Sequence, residues 1–295
     1  MPVEALTAVT LGRGLLVTGA GGQLGRALGR IEPRAVLLDH SRLDVCDPEA
    51  VADVIAGARP AVVVHAAAWT NVDAAESDPG GAHRVNVDGT RSVARAAARA
   101  GALLVYLSTD YVFGGDRHEG YRETDATGPR SVYGRTKLAG EAEAAAFGPH
   151  LVVRTSWVFG EGHNFLRSIL RAAATRDEVA VVDDQRGLPT YAADLAGALL
   201  ELAEGGAEGL FHLAGGGEPG SWADLAEAAL AAADSPARVR RISTAEYLQG
   251  RAGPVAARPA SSVLDCRKAA ASGVALRPWR AAVAEYVRAE CRPSP

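Results

Sequence analysis

The apolar run Gly14-Leu15-Leu16-Val17 opens directly into Thr18-Gly19-Ala20-Gly21-Gly22-Gln23-Leu24-Gly25, and Arg26-Ala27-Leu28 then reads as helix. Few folds feed a strand into a helix through glycines at this spacing. Gly19 lets the chain turn tightly, Gly22 lets backbone approach a diphosphate, and Gly25 lets the helix pack on the strand. In this context the loop is expected to bind a dinucleotide, with Gly19, Gly22, Gln23 and Leu24 against it, rather than to serve only as a turn.

The next apolar run, Ala35-Val36-Leu37-Leu38, ends in Asp39, twenty residues beyond Gly19. A carboxylate there can bond an adenosine ribose, which favours NAD, whereas Arg42 can neutralise a 2′-phosphate, so NADH and NADPH both remain open. Asp44, with Val45 beside it, is a candidate for the adenine amino group; a solvated loop aspartate is the competing reading. The strand ending at His65 runs into Ala66, Ala67 and Ala68, whose small side chains let a flat ligand lie against the backbone. His65, inside an apolar run, reads as a core histidine. Thr70 follows in a polar loop and can reach cofactor or substrate. Residues 82–99 read as an amphipathic helix with Asn86 and Val93 facing inward.

Leu103-Leu104-Val105-Tyr106-Leu107 places Thr109 at the carboxyl end of a strand, where open α/β sheets hold their ligands. Tyr133 and Lys137 are four residues apart, so on a helix they share one face. A free phenol titrates near about 10, and a neighbouring cation favours its ionised form, which suits acid–base work on a carbonyl oxygen. Leu151-Val152-Val153-Arg154-Thr155-Ser156 is a further strand that leaves through Trp157.

Strands alternating with helical stretches predict an α/β fold: a doubly wound, mostly parallel Rossmann sheet over 13–158. Later strand-like runs at 179–182 and 210–213 are expected to return to it within 179–217. Helical runs are expected at 165–174, 192–202 and 279–288, with Ser221 capping another and 251–267 a loop. The smaller C-terminal lobe, 159–178 and 218–295, is expected to cover the substrate.

With 295 residues, 48% apolar and 22% charged, the chain can bury a large core. A net charge of −4 and the lack of a dense basic cluster argue against nucleic acid. Cys46, Cys266 and Cys291 are scattered and odd in number, unlike a disulfide framework or a zinc site. Neither a signal peptide nor a membrane span is recognisable, so a cytosolic location and a short disordered leader over 1–12 are expected.

Together, Thr18-Gly19-x-x-Gly22-x-x-Gly25, Thr109 after its strand and Tyr133-x-x-x-Lys137 resemble the extended short-chain dehydrogenase/reductases. More narrowly, Ser108-Thr109-Asp110-Tyr111-Val112-Phe113, Val132-Tyr133-Gly134-Arg135-Thr136-Lys137 and Arg154-Thr155-Ser156-Trp157 are similar to the dTDP-4-dehydrorhamnose reductase family. So are Asp184-Gln185-Arg186-Gly187-Leu188-Pro189-Thr190 and Arg258-Pro259-Ala260-Ser261-Ser262. The resemblance implies reduction of the C4 ketone of a dTDP-4-keto-6-deoxy sugar by NADPH or NADH, as in the last step to dTDP-L-rhamnose. It also implies that Tyr133 donates the proton, Thr109 bonds the ketone oxygen, and Lys137 lowers the Tyr133 pKa and holds the nicotinamide ribose. Ser156 and Trp157 would flank nicotinamide and sugar, Asp110 and Tyr111 would contact substrate, and Arg258 would meet the diphosphate.

Some members of the family dimerise through magnesium held by glutamates. Ala27 and Ala193 occupy the matching regions here, so no metal bridge is expected, and a monomer or weak homodimer is. Reductases of other 4-keto sugars, epimerases and a non-catalytic regulatory subunit share the motifs. A dehydratase would carry Asp-Glu after Thr109, whereas Asp110-Tyr111 stands here.

Overall fold

The computed structural model describes residues 14–117, 119–249 and 253–291; the leader expected over 1–12 lies outside the described residues. Strands β1 (Leu15–Thr18), β2 (Val36–Leu38), β3 (Val62–His65), β4 (Leu103–Thr109) and β5 (His150–Thr155) join a sixth, Gly209–His212, in one sheet. Across the sheet the order is β2, β1, β3, β4, β5 and the sixth strand, all neighbours parallel. Every residue of β1, β3 and β4 is buried, as expected of strands covered by helices on both faces. Period-2 alternation divides them. Leu15 and Val17 pack with Leu28, Leu195 and Leu199 on one face, while Leu16 packs with Val51, Ile55 and Val93 on the other.

The chain leaves β1 toward β2 on one side and then returns to place β3 on the other side of β1. The loops after β1 and β3 therefore part at the carboxyl edge, which is where doubly wound sheets bind ligands.

The run at 179–182 does not return to this sheet as expected. Glu178–Val182 pairs with Arg238–Ile242 in a separate two-stranded sheet, packed against helices Phe165–Ala173 and Trp222–Ala232. The run at 210–213 does return, through Gly209–His212. Ser221 caps its helix in a capping box with Asp224. A second core packs Phe113 and Tyr121, which follow β4, against Phe159, Leu225, Trp279 and Tyr286.

The helix expected over 82–99 is interrupted. A short helix, Pro79–His83, runs into a π turn, Arg84–Gly89, before Thr90–Ala100 continues. Inside the π turn, Asn86 accepts from the Trp69 N–H at 2.8 Å and donates to Thr136 Oγ1 at 2.9 Å. Those sideways bonds anchor the widened turn against the loop after β3 and the Tyr133 helix. Among the described residues no helix is long and apolar enough to cross a membrane.

Candidate active site

β4 delivers Ser108 and Thr109 to the carboxyl edge, and a 3-10 turn, Asp110–Val112, follows at once. Opposite stands the helix Val132–Ala145, started by Ser131, whose hydroxyl accepts the Gly134 N–H at 3.1 Å, and by Glu76, which accepts the Val132 N–H at 2.7 Å. Tyr133, Lys137 and Glu141, at successive four-residue intervals, form a polar stripe turned into the protein. Such a stripe persists only if each group is satisfied. Glu141 accepts two bonds from Arg154, at 2.8 and 2.7 Å, and one from Ser108 at 2.5 Å. Lys137 is 2% exposed, its Nζ 4.1 Å from the centroid of the Tyr106 ring. Close approach of the helix depends on Gly140, where a Cβ would fall 2.2 Å from Tyr106 Oη and 2.5 Å from the Asn86 carbonyl.

Burial dominates the electrostatics. It pushes the half-buried Tyr133 phenol up to about 12, opposed by a hydrogen bond with Thr109 and reinforced by the negative charge of Asp110. The shift is opposite to the lowering expected from Lys137. That ammonium lies over Tyr106 and is itself brought down to about 7 by burial, with Glu141 pulling the other way. Asp110 is pushed up to about 7, again by burial, against hydrogen bonds from Ser262 and Thr109. Tyr111 stands edge-on to Tyr133 with ring centroids 5.9 Å apart, and its phenol is also raised by burial.

Beside this cluster lies the glycine loop. Gly19 has φ +71°, and a Cβ there would meet the Ala67 nitrogen at 2.5 Å, so the loops after β1 and β3 touch through backbone. Ala66, Ala67 and Ala68 are thereby placed against the loop, with the Ala66 N–H bonded to the Thr18 carbonyl. Gly25 packs on the loop backbone itself, at Ala20, rather than on the strand. Helix Gln23–Ile31 starts at Gly22, which offers no side-chain cap. Gln23 donates to the Val158 carbonyl, and its Oε1 is buried without a hydrogen-bond partner. Leu24 is core.

Asp39 reaches the loop because the Ala20 N–H bonds the Leu38 carbonyl. Its Oδ1 already accepts from the Ser41 and Arg42 backbone and from the Ser41 hydroxyl, and Arg42 itself bonds the Leu37 carbonyl at 2.6 Å. Asp44 closes a turn onto the Cys46 N–H, with Val45 buried beside it, and Thr70 is exposed in the loop after β3. His65 is the core residue expected. Its Nδ1 lies 2.7 Å from the Thr18 hydroxyl, its Nε2 3.2 Å from that of Thr90, and burial brings its pKa down to about 3.

Arg258 donates to Asp73 at 2.8 Å and to the Ala256 carbonyl at 3.1 Å, and its charge acts on Tyr111. It thus reaches the cluster already holding an ion partner. Trp157, with φ +46°, stacks on Trp222 at 3.8 Å, and Trp222 donates to Gln185. The Ser156 hydroxyl is bonded to the Leu188 carbonyl. Sequence reasoning faced Asn86 inward but gave no part in the site to it or to Glu141, Trp222 or Ser262. For Glu141 a signal existed, the continued four-residue spacing from Tyr133 and Lys137.

The arrangement can protonate an oxygen anion formed next to a dinucleotide-type crevice. Residues 13–291 match the family described as RmlD substrate binding domain. A dTDP-4-dehydrorhamnose reductase of Streptomyces griseus is 44% identical over 291 residues, covering 94% of this chain and 93% of that protein. One from Mycobacterium tuberculosis is 43% identical, covering 93% and 92%. The crystal structure of the Bacillus anthracis dTDP-4-dehydrorhamnose reductase in complex with NADP superposes with a TM-score of 0.86 at 34% identity, covering 93% of this chain and 98% of that one. By its motifs, its sheet and these likenesses over nearly its whole length, the chain belongs to the dTDP-4-dehydrorhamnose reductase family.

Proposed function

We propose that this chain reduces the C4 ketone of a dTDP-6-deoxy-4-ketohexose with NADPH or NADH, converting dTDP-4-dehydro-L-rhamnose to dTDP-L-rhamnose. The observation that carries the reading is the convergence of Thr109, Tyr133 and Lys137 at the carboxyl edge of β4, next to the glycine loop. The loop suits a dinucleotide: its glycines let it lie tightly against the loop after β3, its helix start is uncapped, and the Gln23 Oε1 is a buried acceptor with no donor. Gly19, Gly22, Gln23 and Ala66 to Ala68 would line the diphosphate and nicotinamide, and Asp39, Arg42 and Asp44 the adenosine end.

When bound, the reduced nicotinamide supplies the hydride to the ketone carbon. The protein handles the proton. A phenol raised to about 12 is neutral at pH 7 and keeps its proton until charge builds on the ketone oxygen, which suits Tyr133 as general acid. Lys137, in its protonated form, stabilises the phenolate left behind, and its burial makes that charge act at low effective dielectric. Thr109 gives a second hydrogen bond to the oxygen. Arg258 would turn a guanidinium to the dTDP diphosphate, exchanging part of its bond to Asp73, while Trp157, backed by Trp222, would form a wall for the sugar.

In this reading 13–158 holds the cofactor and the smaller lobe closes over the sugar nucleotide. It also puts the reaction in the cytosol, with the chain acting as a monomer or weak homodimer, since Ala27 and Ala193 occupy the regions matching those where some family members carry magnesium-bridging glutamates. The test is oxidation of NADPH and of NADH with dTDP-4-dehydro-L-rhamnose generated in situ from dTDP-glucose. Steady oxidation with matching formation of dTDP-L-rhamnose supports the reading. Cofactor binding without oxidation of either cofactor overturns it.

A further inference from the structure

Asp110, expected from the resemblance to contact substrate, is instead 2% exposed with both carboxyl oxygens on neighbouring hydroxyls, one of them that of Thr109, and the reduction as described leaves it idle. Its two oxygens are fully engaged. Oδ1 lies 2.9 Å from Thr109 Oγ1, and Oδ2 is bonded to the hydroxyl of Ser262, itself 1% exposed and contributed by the smaller lobe 152 residues away. Thr109 Oγ1 also accepts the Tyr111 N–H at 3.2 Å, and the same hydroxyl acts on the Tyr133 phenol, favouring its ionised form. A hydroxyl has one proton to give. If Asp110 is a carboxylate, that proton is committed to Oδ1, and Thr109 can only accept from anything on its other side. If Asp110 is a carboxylic acid, it donates to Thr109, whose own proton is then free for the Tyr133 oxygen or the ketone oxygen.

We propose that Asp110, held by Ser262, is a positioning residue whose protonation state sets the direction of the Thr109 hydroxyl and thereby switches Thr109 between donor and acceptor toward the reacting oxygen. The inference rests on the reductase reading for its catalytic consequence, but the Ser262–Asp110–Thr109 chain itself is a feature of the fold. Burial pushes the Asp110 carboxyl up to about 7, so both directions are populated near neutrality. The other groups that face it are few. Tyr133 from the helix and Tyr111 from its own turn both feel its charge and both titrate well above neutrality. Arg258, beyond Tyr111, is paired with Asp73, and Lys137, one turn along from Tyr133, acts on His65 and Glu141. The described partners of the carboxyl are hydroxyls and the backbone N–H groups of Asp110 and Tyr111.

The sign follows. Below its pKa Asp110 is protonated and Thr109 is a donor; as pH rises through that value the donor is withdrawn. Single-turnover ketone reduction should therefore fall by about tenfold per pH unit on the alkaline side of a limb near neutrality. Ser262→Ala removes a donor that stabilises the carboxylate, so it should move the Asp110 part of the limb to higher pH while leaving the rate at its acid end within a few fold. Asp110→Asn, which cannot ionise, should remove that part and leave only the loss set by Lys137, whose ammonium burial also brings down to about 7.

A second measurement needs no turnover. Infrared or carbon NMR titration of the whole chain, labelled at aspartate carboxyls, should show a carboxyl titrating near neutrality that is absent in Asp110→Asn and shifted upward in Ser262→Ala. An Asp110 carboxyl titration that stays in place in Ser262→Ala, a limb of unchanged shape in Asp110→Asn, or an Asp110 carboxyl that is ionised throughout from pH 5 to 9, overturns the proposal. Absence of turnover at every pH with the carboxyl titration intact would instead count against the reductase reading alone.

Discussion

Glu141→Gln isolates the contact that holds the Tyr133 helix to the sheet. The Arg154 side chain is 4% exposed and that of Glu141 11%, and they meet through two charge-assisted bonds at 2.8 and 2.7 Å, with Ser108 adding a third bond to the carboxylate. Beyond Glu141 the Arg154 guanidinium has, among the described residues, only the face of the Phe113 ring, 5.0 Å to its centroid, and its Nη1 is buried without a hydrogen-bond partner. Removing one member of a buried ion pair costs ~3–5 kcal/mol, because the remaining charge stays out of water. The isosteric amide still accepts one bond, so ~3 kcal/mol is expected, or a lowering of the thermal midpoint by roughly 6 °C for a chain of this size. The assay is chemical denaturation of both proteins, with the loss appearing as a lower midpoint at an unchanged slope. Replacing the pair together, as Glu141→Leu with Arg154→Met, should recover much of the loss. A cost below ~1 kcal/mol, the range of exposed pairs, would refute the idea that this buried pair anchors the helix.

Three further changes test other parts of the account. Gly140→Ala should cost about 1–3 kcal/mol of stability in thermal melts and reduce turnover, because its Cβ falls 2.2 Å from Tyr106 Oη and must push the helix outward. His65 has a folded pKa of about 3 against an ordinary 6.5, so the unfolded chain takes up a proton that the native state refuses. Its stabilising effect is complete above pH 6.5 and is lost as pH falls toward 3; His65→Gln should lessen the acid slope of stability by about 1.4 kcal/mol per pH unit in that window, measured by denaturation at each pH. Arg258→Ala should raise KM for the sugar nucleotide more than about tenfold with a smaller change in kcat, and an unchanged KM would leave Arg258 as a strut for Asp73 only.

What could be read from the sequence was local. The glycine loop and the Tyr133–Lys137 pair show themselves because strand, turn and helix periodicities act over a few residues, and His65 shows its burial through its apolar neighbours. The bonds that complete the site join residues far apart: Asp110 to Ser262 across 152 positions, Arg258 to Asp73 across 185, Asn86 to Thr136 across 50. Such pairings leave no periodic trace. The apolar run at 179–182 advertised a strand but not its partner, because burial looks the same in either sheet. The π turn at Arg84–Gly89 was hidden for a related reason, since one inserted residue changes which side chains face inward without changing composition. The Tyr133 pKa went the other way from expectation because sequence spacing reports that a cation is near, and only the packing reports that both groups are desolvated.

The central claim is that Tyr133 delivers the proton to the ketone oxygen. It is tested most directly by Tyr133→Phe, comparing single-turnover reduction of dTDP-4-dehydro-L-rhamnose with cofactor affinity measured separately. The account predicts a loss of about 10²–10⁴-fold in the reduction step, with cofactor affinity and folding retained. Reduction at the native rate by the phenylalanine variant would contradict it.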